Sequence, residues 1–103
     1  MNHAASYVVT GTETPTELHS LRDRYSRILL SLGALRLILE RYRGGLISDI
    51  DLQGIAETFE MNEAVWSPEG EQAAINEVVF QLANPDINGP ITGSIVADLL
   101  RRF

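Results

Sequence analysis

The chain has no cysteine, which excludes a disulfide framework, a thiol nucleophile and a thiolate metal site. It has no lysine either, so every one of its 8 fixed positive charges is an arginine. Its 2 histidines, His3 and His19, form no HxxxH or HExxH pair, and histidine metal chemistry therefore lacks a ligand set. No apolar run is long enough for a conventional bilayer span; the longest, Ile28 to Leu39, is interrupted by Ser31, Gly33 and Arg36. Residues 1–13 carry no basic side chain and no apolar core of a leader. No signal peptide is expected there, and the cytoplasm is the expected compartment.

Catalytic motifs are missing too. No GxSxG, P-loop or GxGxxG occurs. Asp49, Asp51, Gly54 and Glu60 fall at positions one, three, six and twelve of an EF-hand loop, but Gly44 and Gly45 stand where the preceding helix should be. The same residues read better as a capped amphipathic helix. Glu57 and Glu60 pair at i, i+3 on its surface, where a solvated face explains them better than acid–base chemistry. No enzyme, cofactor or metal is expected.

What is present is 103 residues at 11.4 kDa, 45% hydrophobic and 21% charged. That is one globular domain's worth of chain. The net charge of −6 argues against direct binding to nucleic acid or an anionic membrane. This charge is segregated. Met1 to Gly45 holds six arginines against four acids, whereas Leu46 to Asp98 holds ten acids and no base. Arg101 and Arg102 close the chain. Two consequences stand open: the arginines pair internally with the acids, or the acidic half steers a basic partner.

Thr14-Pro15-Thr16-Glu17 is a helix start with cap, proline and capping-box partner; Gly44-Gly45 is a stop. Between them the spacing predicts one helix over about 15–43, roughly 44 Å long. Leu18, Leu21, Tyr25, Ile28, Leu32, Leu35, Leu39 and Tyr42 keep an unbroken heptad seam along it. Leu29, Leu30, Leu37 and Ile38 lie off that seam. A helix apolar all round must be covered all round. Its own domain could wrap it, but a domain this small spans a radius of gyration of only about 13 Å. A homodimer or a foreign partner is therefore expected.

Ser48 with Asp51 opens a second helix over about 49–62, fraying toward Trp66. Ser67-Pro68 opens a third, ending at Asn84-Pro85, and Thr92 caps a fourth. Ile95, Val96, Leu99, Leu100 and Phe103 are the apolar side of this last helix. Tyr7 to Thr10 is β-prone but short and isolated. The expected fold is all-α: a flexible tail over 1–13, then a single domain over 14–103 with one long helix and three short ones, paired as a helical-bundle homodimer.

In length, uninterrupted long helix and short helices after Gly44-Gly45, the chain resembles the small helical antiactivators of bacterial quorum sensing, the TraM-like and QslA-like proteins. The resemblance implies a homodimer that sequesters a transcription activator. An immunity protein against a basic toxin and a small secretion chaperone are the alternatives. The expected protein interface is Leu29, Leu30, Leu37 and Ile38, rimmed by Arg36 and Arg43.

Overall fold

A computed structural model describes residues 5–102. His3 and Phe103 lie outside the described residues. The order is β1 (Ser6–Val8), α1 (Pro15–Ser20), a 3-10 turn (Leu21–Asp23), β2 (Arg27–Leu29), α2 (Leu32–Arg43), α3 (Asp49–Met61), β3 (Val65–Trp66), α4 (Gln72–Ala83), α5 (Pro85–Asn88) and α6 (Gly93–Leu100). The strands form one parallel sheet in the order β1-β2-β3. Tyr7 lies opposite Ile28, and Ile28 opposite Val65. Parallel neighbours need crossovers, and the helices between the strands supply them.

The all-α expectation is therefore wrong, and the single helix over 15–43 does not exist. The chain leaves the helix at Leu21–Asp23 and crosses the sheet as Arg27–Leu29. It re-enters helix at Leu32, where the Ser31 hydroxyl accepts the Ala34 N–H at 3.2 Å. The physical reason lies in Ile28-Leu29-Leu30. A short apolar run has the same pattern in a buried strand as in a buried helix, and period alone cannot separate them. As the central parallel strand, β2 buries one face in the core, while its other face carries Leu29 in register with exposed Val8 and Trp66. Ile28 and Leu30 are each 1% exposed, with Leu29 half-buried. Of the apolar surplus that called for a second chain, Leu30 and Ile38 are consumed inside the molecule, Leu29 is half-buried and Leu37 stays exposed. The heptad residues still pack on the core, but from two helices, the 3-10 turn at Leu21, the loop at Tyr25 and a strand.

Other starts are as expected. Thr14 and Glu17 form a reciprocal capping box, as do Ser48 and Asp51, and Thr92 caps α6. Residues 49–60 are continuous helix, so the EF-hand-like spacing belongs to no loop. The third helix starts later than expected, at Gln72 after a turn at Ser67–Glu71. The stretch toward Trp66 becomes β3 rather than frayed helix. The core gathers Leu18, Ile28, Leu30, Ile38, Leu39, Leu52, Ile55, Ile75, Leu82, Val96 and Leu99, all nearly inaccessible.

Candidate functional site

Two places combine polar groups with shape. The first follows β1. The Glu13 carboxylate is buried and accepts the Tyr7 hydroxyl at 2.6 Å, the Thr10 N–H at 2.8 Å and the Gly11 N–H at 3.0 Å. Burial alone would raise its pKa. The Thr10, Tyr7 and Gly11 donors outweigh that and hold it below the ordinary glutamate value. The hydrogen bond to Glu13 in turn pushes the Tyr7 hydroxyl up to about 12, with burial adding to the rise. Arg41 on α2 donates to the Gly11 carbonyl at 2.6 Å and clamps the same loop. Both shifts move away from neutrality, opposite to what proton transfer needs. This cluster is a fastening of the β1–α1 loop.

The end of β2 is likewise filled from within. The Leu32 N–H at the start of α2 donates to the Glu71 carboxylate at 2.9 Å. The place where a helix N-terminus would receive an anion thus holds the protein's own carboxylate.

The second place is a cleft of about 360 Å³ between β3, α4 and the end of α3. Buried Leu30, Phe59, Ile75 and Val79 line it, along with exposed Trp66 and Phe80. Trp66 is 39% and Phe80 47% exposed. Glu60, Asn62, Gln72 and Asn76 add polar groups. Asn84 donates to Glu60 at 3.1 Å and to the Phe80 carbonyl at 2.8 Å, tying α3 to α4 beside the opening. The Arg27 guanidinium lies 4.6 Å from the centre of the Trp66 ring, within cation–π reach.

The interface residues expected from the sequence do not form one patch. Leu30 and Ile38 are in the core, each 1% exposed, because one follows the central strand and the other faces inward from α2. Leu29 is half-buried on β2. Leu37 remains partly exposed over Gly11, Arg36 pairs with Glu40 at 3.2 Å, and Arg43 is exposed at the end of α2. Of the six, only Leu30 reaches the cleft. Trp66 stands out in the sequence as an inter-helix anchor or an interface side chain, and the structure places it at the cleft. Phe80 went unselected, although it stands off the Ile75, Val78, Val79, Leu82 face of its helix. That misplacement was its signal.

The charge question is also answered locally. Among the described residues, acids of the 46–98 half form ion pairs only with Arg101 and Arg102: Arg101 with Asp98 at 2.7 Å, and Arg102 with Glu77 at 2.8 Å and Asp98 at 3.8 Å. Arg41 spends its donors on backbone carbonyls and Arg36 on its own helix. The arginines of residues 22–43 therefore leave the acidic half uncompensated by direct pairing. No helix among the described residues is long and apolar enough to cross a membrane. No family model, curated protein or solved structure matches the chain.

Proposed function

We propose that this protein is a non-enzymatic binding module that sequesters a partner protein, and that the partner is a bacterial transcription activator. The observation that carries the reading is the acidic half. Ten acids stand on residues 46–98 without a base, beside a cleft flanked by exposed Trp66 and Phe80. Apolar and aromatic anchors supply affinity in such contacts, while charge sets rate and specificity. A DNA-binding surface is basic because it meets phosphates. An acidic module that covers it blocks operator binding. The resemblance to quorum-sensing antiactivators has lost one of its three grounds, the long helix; charge and exposed aromatics support the reading instead.

The same charge favours a second reading, an immunity protein covering a basic toxin. The homodimer expected from the sequence has lost its ground in the long helix. Exposed Val8, Leu46, Ile50, Met61 and Ile87 are among the apolar side chains left for self-association, and light scattering reads it directly. The test of function is capture with the tagged protein from its host, followed by a mobility-shift assay with the captured protein and its operator. Loss of the shifted band at stoichiometric addition is expected. A captured nuclease moves the assignment to immunity. Co-purification of a small ligand with no protein ends the binding-module reading.

A further inference from the structure

We propose that the cleft beside β3 receives an extended, arginine- or lysine-bearing segment of the partner protein, which adds as a strand to the open edge of the sheet. This rests on the binding-module reading and names the surface and the chemistry of its guest.

The first ground is the edge itself. β3 is last in the sheet, and β2 pairs with it through the Ile28 N–H to the Ala64 carbonyl and the Leu30 N–H to the Trp66 carbonyl, both at 2.9 Å. Successive residues of a strand turn their backbone groups to opposite sides. The Val65 carbonyl and the Ser67 N–H therefore point away from β2, and both residues line the cleft. The Val65 N–H closes a turn onto Asn62 at 3.1 Å, while the Val65 carbonyl and the Ser67 N–H have no protein partner among the described residues. One acceptor and one donor, a strand step apart, are what a single residue of a parallel guest strand uses. Strand addition takes affinity from such main-chain bonds and specificity from pockets for alternate side chains.

The second ground is the lining. Phe59, Ile75 and Val79 are buried, whereas Trp66 and Phe80 remain exposed. Every second side chain of a guest would find apolar surface there. The third ground is charge. Glu60 lines the cleft, and Glu63 and Glu69 stand close in sequence to the lining residues Asn62 and Ser67. All three are exposed, and none has an ion-pair partner among the described residues. The Trp66 indole already carries one guanidinium, that of Arg27. A second copy docked symmetrically here would set this acidic surface against itself, so the guest is a different, basic chain.

Trp66 is the only tryptophan in the sequence, and its emission therefore reports the cleft alone. The experiment titrates the whole protein with a short capped peptide alternating arginine and valine. Two controls run beside it: the same peptide with glutamate for arginine, and one with alternate backbone nitrogens methylated. The basic peptide is expected to shift Trp66 emission and to move amide resonances of residues 59–80. Kd should rise severalfold in high salt, and roughly three- to tenfold in Glu63→Gln/Glu69→Gln. The acidic and methylated peptides should bind far more weakly. Equal binding of all three, resonances moving elsewhere, or no response to the basic peptide would overturn the proposal. Phe80→Glu, at an exposed position, separates this inference from the reading beneath it. If the folded variant still captures the partner that wild type captures, the cleft is not the docking site and the binding module stands.

Discussion

Gly11 occupies a backbone conformation with φ of +97°, which L side chains rarely adopt. A Cβ there would stand 2.7 Å from the Ala34 carbonyl oxygen and 2.9 Å from the Leu37 Cβ. Gly11→Ala thus strains the turn and pushes the loop off α2, and denaturant unfolding should show a loss of about 2–4 kcal/mol. Glu13 fastens the same loop. Its pKa is depressed in the fold, so its contribution is complete above the ordinary glutamate range and disappears as pH falls through the depressed value. Glu13→Gln should cost about 1–3 kcal/mol at neutral pH and flatten the acid limb of a stability–pH curve. Tyr7 has the opposite sign. Its hydroxyl is pushed up to about 12, so the folded state favours the neutral phenol. That stabilisation is full below pH about 10, the ordinary tyrosine value, and is lost as pH rises toward 12. Tyr7→Phe should remove this alkaline loss, as followed by circular dichroism against pH.

At the scale of elements, the decisive stretch is Arg24 to Ser31. Thr14, Ser48 and Thr92 were legible as caps because a hydroxyl before an apolar period is a local signal. The faces of α3 and α4 were legible because one residue in every turn repeats. β2 was not, because Ile28, Leu29 and Leu30 satisfy a heptad and a buried strand alike. Only its partners at β1 and β3, more than a dozen residues away on either side, decide between them. Ser31 was the overlooked cue, a capping residue read as helix interior. The cleft was illegible for the same reason: it exists only because β3 pairs with β2, which brings Trp66 beside α4. Hydrogen exchange tests this pairing. The Ile28 and Leu30 amides, bonded to Ala64 and Trp66, should exchange only through global unfolding. The Arg24 to Ser26 amides, in the turn before β2, should open first.

Across the whole molecule, charge is divided between a half with six arginines and a half with ten acids and no base. Among the described residues ion pairing reaches only Glu77 and Asp98 of those ten, so the acidic half repels itself. Such self-repulsion weakens the folded state and is relieved by screening. Urea unfolding at low and at moderate sodium chloride should show stability rising with salt. A fall would mean that the acids are held by internal partners after all, which removes the steering surface. The burial of Leu30 after β2 and of Ile38 on α2 also bears on assembly, since neither can meet another chain.

Fold and cleft both depend on residues 27–29 being the middle strand of a parallel sheet. Through-space proton contacts in isotope-labelled protein read this directly. The expected result is a cross-peak set joining Ile28 to Tyr7 on one side and to Val65 on the other. Unbroken sequential amide–amide contacts from Thr16 to Arg43 would contradict it, restoring one long helix and dissolving the cleft.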